Sequence, residues 1–252
     1  MSDSPALPDA QSRPRLALGA ERVDGWLGGG LRRDGLHEFH DDKEGVAATG
    51  FTLLLASLAG APLVWLRGRG AVYDRQRPYG PGLAQLGVPP ACVALISLAD
   101  TAAVLRAGLD AVRAGSAAAV LIELAGPTPL LDLTATRRLA LAAEASGTLA
   151  LLIRHGAPVA PGAAQTRWRV ASAPSRRLDA DAPGVPAFDL DLLRQRGGRD
   201  GLSVRLEWRR DDLRFREIER PFGTAAAAAP VSGAVSALAG GGRRGAARSG
   251  AA

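Results

Sequence analysis

Residues 27–50 read Leu27-Gly28-Gly29-Gly30-Leu31-Arg32-Arg33-Asp34-Gly35-Leu36-His37-Glu38-Phe39-His40-Asp41-Asp42-Lys43-Glu44-Gly45-Val46-Ala47-Ala48-Thr49-Gly50. Glycine permits positive φ and close backbone approach, so the run Gly28 to Gly30 reads as a tight turn. Gly35 to Phe39 reads as a first strand and Asp41 to Gly45 as a polar turn. A helix then runs from Ala47 to Leu58 and stops at Gly60.

The same rhythm continues downstream. Ala61 to Leu66 is an apolar burst of strand length, followed by a loop rich in Arg, Gly and Pro from Arg67 to Pro81. A short helix around Leu83 to Leu86 stops at Gly87, and Val93 to Ser97 is the next strand. Asp100 or Thr101 caps a helix with Val104, Leu105, Leu109 and Val112 at helical spacing, ended by Gly115. Ala118 to Glu123 is a continuous apolar run closing on an acid, the pattern of a buried parallel strand. A helix from Asp132 or Thr134 to Ala145 and a strand from Thr148 to Ile153 follow. Strands alternating with helices predict a largely parallel sheet covered on both faces. Beyond Ala157 the pattern changes: residues 166–171, 188–194, 202–208 and 213–218 read as strands with no helix between them. They predict an antiparallel extension of the sheet.

Of 252 residues, 47% are hydrophobic, 22% charged and 4% aromatic, so one sizeable core of Leu, Val and Ala is expected. The net charge is +6, and Lys43 is the sole lysine. A basic balance permits contact with nucleic acid or acidic partners. The single Cys92 excludes an internal disulfide, and its apolar neighbours predict a buried side chain. The first ten residues lack an apolar run suited to a signal peptide, and no stretch approaches the roughly 20 apolar residues that cross a bilayer. A soluble cytoplasmic protein is expected. Residues 1–15 read as a disordered arm, 16–222 as one domain, and the Ala, Gly and Arg-rich 223–252 as a disordered tail. Residues 231–238 of that tail retain enough apolar character to form a short helix on a partner.

The Gly-rich turn delivering the chain into a strand, with Asp34-Gly35-Leu36 and Glu38 inside it, resembles the start of the RecA/RadA ATPase core. Glu123 then falls where that core has its Walker B acid. Thr166-Arg167-Trp168-Arg169-Val170 resembles the strand after the second DNA-binding loop, and Leu192 to Gly198 the basic strand beyond. Within that superfamily the chain most resembles the ImuA family of SOS-inducible mutagenesis proteins, in its alphaproteobacterial form. The segments Leu36 to Phe39, Ala47 to Phe51, Arg77 to Leu83, Asp132 to Ala140 and Thr166 to Val170 carry that likeness in order. It implies an α/β RecA-like core and a role as accessory in SOS-induced translesion DNA synthesis. The partners it implies are an ImuB-type Y-family polymerase homologue, an error-prone C-family polymerase and RecA.

A phosphate loop needs Gly-x-x-x-x-Gly-Lys-Ser/Thr, whose amides and lysine hold phosphates and whose hydroxyl holds Mg²⁺. Here Asp41, Asp42, Lys43, Glu44, Gly45 and Thr49 offer no lysine before a hydroxyl and add three carboxylates. A like charge at 4 Å costs roughly 1 kcal/mol in water and about 4 at an effective dielectric of 20. Glu123 stands where the family has Asp, and Arg67 lies near the position of the acid that activates water. No ATPase activity, cofactor or metal is expected. His37, His40 and His155 show no metal-ligand spacing, and His37 and His40, three apart, point to opposite faces of a strand. Arg154, Arg167, Arg169, Arg194, Arg196 and Arg199 are the candidate contacts to DNA or a partner, with Trp168 opposite Arg167 and Arg169 and packed inward. Three rival readings stay open: an active RecA-like ATPase, a single-stranded DNA-binding repair protein, and, behind both, a SulA-type cell-division inhibitor.

Overall fold

The chain first folds back on itself. β1 (Arg15–Leu16) pairs antiparallel with β2 (Leu31–Arg32) around the short helix α1 (Glu21–Trp26). The glycine run makes that return possible: Gly28, Gly29 and Gly30 have φ of 70°, 106° and 114°. A Cβ on Gly30 would stand 2.2 Å from the Leu16 carbonyl oxygen, a position only glycine can fill. The computed structural model describes residues 13–41, 45–70, 77–175 and 184–219. The expected tail 223–252 and nearly all of the expected arm 1–15 lie outside them, as do Asp42, Lys43 and Glu44.

β3 (Leu36–Asp41) leads to α2 (Ala47–Leu58), β4 (Leu63–Gly68), α3 (Gly80–Gln85) and β5 (Val93–Leu98). Then follow α4 (Thr101–Ala114), β6 (Ala119–Ala125), α5 (Leu133–Ser146) and β7 (Leu149–His155). β8 (Thr166–Ser172), β9 (Ala187–Gln195), β10 (Ser203–Arg209) and β11 (Arg214–Ile218) complete the described elements. Among the described residues the main sheet runs β11-β10-β9-β8-β3-β7-β6-β4-β5. Pairings from β5 through β8 are parallel and those from β8 to β11 antiparallel, as the change of rhythm in the sequence predicts.

Capping sets the two outer helices. Asp100 and Asp132 accept from the backbone N–H of Ala103 and Ala135 at 2.8 and 2.7 Å, and Gly115 and Gly147 close the helices in the left-handed region. α4 and α5 cover one face of the sheet, over Ile122, Leu152 and their neighbours. On the other face α2 drives Phe51 into an aromatic cluster, with ring centroids 5.7 Å from Phe39, 5.5 Å from Phe188 and 4.9 Å from Phe215. Trp168 points to that same face, 2% exposed, as its alternation with Arg167 and Arg169 predicts. Cys92 departs from expectation. It is half-buried in a 3₁₀ turn ahead of β5, an edge strand whose Leu95 and Ile96 are 37% and 42% exposed. Among the described residues, no helix is long and apolar enough to cross a membrane.

Phe51 joins the parallel and antiparallel halves of the sheet, so Phe51→Ala is expected to cost about 3–5 kcal/mol. The check is a lowered urea midpoint at unchanged m.

Candidate functional site

The C-terminal ends of β3, β6 and β7 meet under the N-terminus of α2. Asp41 ends β3 and His155 ends β7, and the parallel register sets them side by side. Alternation along β6 turns Glu123 to the same face. Thr49 comes from the first turn of α2, and Trp65 from β4.

These five side chains form one network. His155 lies between two carboxylates, with Nδ1 2.5 Å from Asp41 Oδ1 and Nε2 2.8 Å from Glu123 Oε1. The Thr49 hydroxyl donates to Glu123 Oε1 at 2.6 Å, and its oxygen lies 3.1 Å from His155 Nε2. Trp65 Nε1 donates to Glu123 Oε2 at 2.8 Å. The other oxygen of Asp41 accepts from the Ala48 N–H at 3.0 Å, at the opening of α2. Glu123 and His155 are 0% and 1% exposed. Burial by itself pulls the imidazole down, but the hydrogen bonds and charges of Asp41 and Glu123 outweigh it and raise His155 to about 9. Burial pushes Glu123 the other way, yet His155, Thr49 and Trp65 together hold it below the usual carboxylate range. Imidazolium between two carboxylates is therefore the state at neutral pH.

In the described part of the site, the groups that would face a magnesium nucleoside triphosphate are already engaged. An α2 amide that would face a phosphate already binds Asp41, and the hydroxyl that would face Mg²⁺ is spent on Glu123. Among the described residues, no group of three or more His, Cys, Asp or Glu is placed to hold a metal.

No protein-family model matches the chain. The crystal structure of the RadB recombinase superposes with a TM-score of 0.56 at 16% identity, over 81% of this chain and 100% of that one. The fold is RecA-like. Two sequences named Protein ImuA, from two strains of Caulobacter vibrioides, are 34% identical over 208 residues, covering 75% of this chain and 81% of each relative. The chain belongs to the ImuA family.

The arginines of this ImuA chain separate into two groups. Arg154 and Arg167 are 4% and 5% exposed and face Glu38, itself 2% exposed. Arg167 Nε donates to Glu38 Oε2 at 2.8 Å, His40 Nε2 lies 3.0 Å from Oε1, and Arg154 stands 3.6 Å away. Arg167, like Arg154, was read as a candidate contact to DNA or a partner on an open strand face. The buried carboxylate two strand positions before His40 draws it inward instead. Arg169, Arg194, Arg196 and Arg199 are exposed. Arg194 donates to the Gly162 carbonyl at 3.2 Å, and Arg199 stacks 4.6 Å over Trp26. His37 turns to the opposite face from His40, bonded to Thr166 and the Arg32 carbonyl, and burial pushes it down to about 4.

The His155 network predicts a specific pH profile. A folded pKa of about 9 against an ordinary 6.5 corresponds to roughly 3 kcal/mol. Because the pKa is raised, this stabilisation is complete below pH 6.5 and is lost as pH climbs through 9. Glu123 is shifted downward, so its contribution holds above its ordinary 4.5 and fades on acidification. Urea titrations of His155→Gln should therefore show lower stability near pH 6 and no decline between pH 6.5 and 9 from this source. An unchanged alkaline slope would show that His155 is neutral in the folded protein.

Proposed function

We propose that this ImuA-family chain is a non-hydrolysing accessory of DNA-damage-induced mutagenesis, a RecA-like scaffold that helps assemble an error-prone translesion polymerase complex. Its partners are an ImuB-type Y-family polymerase homologue and a C-family polymerase. Family membership supports the role in damage-induced mutagenesis. The observation that carries the loss of hydrolysis is the Asp41 carboxylate seated on the Ala48 amide and tied to His155.

Phosphoryl transfer relies on positioning and on counter-charge from lysine and Mg²⁺. A triphosphate entering here has to displace Asp41 and strand a buried imidazolium. Breaking one partner from a buried ion pair costs about 3–5 kcal/mol, which weakens binding by roughly two to four orders of magnitude. The core then serves as a rigid body rather than a motor. A second reading, weak and salt-sensitive binding of single-stranded DNA, is favoured by the exposed Arg169, Arg194, Arg196 and Arg199.

Calorimetry with Mg-ATP, with and without single-stranded DNA, is expected to give no saturable heat and no turnover. Lys43→Ala is expected to leave damage-induced mutagenesis at the parent level, and the chain to co-purify with both polymerase partners. Saturable nucleotide binding, or turnover lost with Lys43, would falsify the scaffold reading.

A further inference from the structure

At the opposite end of the sheet from His155, a cleft of ≈ 580 Å³ opens between the β1–β2 return, the start of β8 and the end of β9. That lies within the range of ligand sites, roughly 300–1,000 Å³. Four arginines line it: Arg13, Arg15, Arg32 and Arg196. Two are already matched. Arg13 and Arg32 both bond Asp34, at 3.0 and 2.9 Å, and Arg13 also pairs with Glu144 at the rim. Arg15 is held differently, donating to the Leu27 and Gly30 carbonyls at 2.7 and 3.1 Å, so its position is fixed while it has no carboxylate partner among the described residues. Arg196 is exposed at the mouth. Gln195, beside it, has a buried Oε1 with no hydrogen-bond partner.

We infer that this cleft binds an acidic segment of a partner polypeptide, with a carboxylate on Arg15 and Arg196 and a backbone N–H on Gln195 Oε1. Two observations favour a peptide over a nucleic-acid strand. The orphaned Gln195 oxygen is an acceptor and requires a donor, which a peptide backbone carries and a phosphodiester backbone lacks. Glu144 lines the cleft, its side chain 41% exposed, and Asp34 is bound by the lining Arg13 and Arg32. Fixed acids between arginines repel a continuous line of phosphates and suit carboxylates spaced along a peptide. Arginine further matches carboxylates through two parallel bonds. The inference rests on the scaffold reading for its biological setting alone, since peptide binding and nucleotide binding are measured separately.

The test is fluorescence anisotropy of the full chain with fluorescein-labelled peptides of alternating Glu and Ala, their Gln counterparts, and oligo-dT of equal length as competitor. Saturable, salt-sensitive binding of the Glu peptide is expected, with Arg196→Glu weakening it about ten-fold or more. Gln195→Leu should weaken the peptide and at the same time raise the thermal midpoint, because it removes an unsatisfied buried acceptor. A purely structural Gln195 would not give that pair of changes. Absence of Glu-peptide binding, equal binding of the Gln peptide, indifference to both substitutions, or stronger capture of oligo-dT through Arg196 would each overturn the inference.

Discussion

Two buried carboxylates on the strands either side of β7 repel each other unless a cation lies between them, and His155 on β7 is that cation. Its two ring nitrogens bind Asp41 and Glu123, so one side chain ties the ends of β3, β6 and β7 into a single plane. Thr49 and the Ala48 amide extend the tie to α2, and the helix that covers the aromatic core is seated by the same charges. The arrangement also accounts for the carboxylate in the strand-ending position: Asp41 binds an amide at the start of α2 and anchors an imidazolium at once.

The other face of the same strands uses the reverse polarity. There one carboxylate, Glu38, serves Arg167 and Arg154 and lies within hydrogen-bond reach of His40, so the arginines outnumber the acid. β3 thus alternates Glu38 toward α4 and α5 with Phe39 and Asp41 toward α2, and a strand slip by one residue would exchange both charge clusters and the core. Register is fixed here by electrostatics as firmly as by apolar packing.

Much of the fold was legible in the sequence because its signals are local. The bounds of α2 match the reading of Ala47 to Leu58, and Asp100 with Gly115 and Asp132 with Gly147 frame the helices as caps require. The charge clusters were not legible. Asp41 and His155 are 114 residues apart, and Glu38 and Arg167 are 129 apart, so no spacing rule along the chain joins them; parallel pairing does. His155 carried no motif, and its spacing to other ligand-type residues along the chain pointed to nothing. The β1–β2 return escaped notice because two-residue strands have no periodicity to read. Cys92 was misjudged because an apolar run announces a strand without saying whether both of its sides are covered; β5 is covered on one.

The stacking of Arg199 on Trp26 has an optical consequence. Of the four tryptophans, Trp65, Trp168 and Trp208 are 3%, 2% and 0% exposed, while Trp26 is half-buried. Its indole N–H donates to the Arg199 carbonyl at 2.8 Å, so ring and turn move together. Iodide or acrylamide in the buffer reaches that indole and is shielded from the other three. The protein therefore carries its own fluorophore next in sequence to the cleft-lining Leu27, and selective quenching separates events near that turn from changes in the interior without any label.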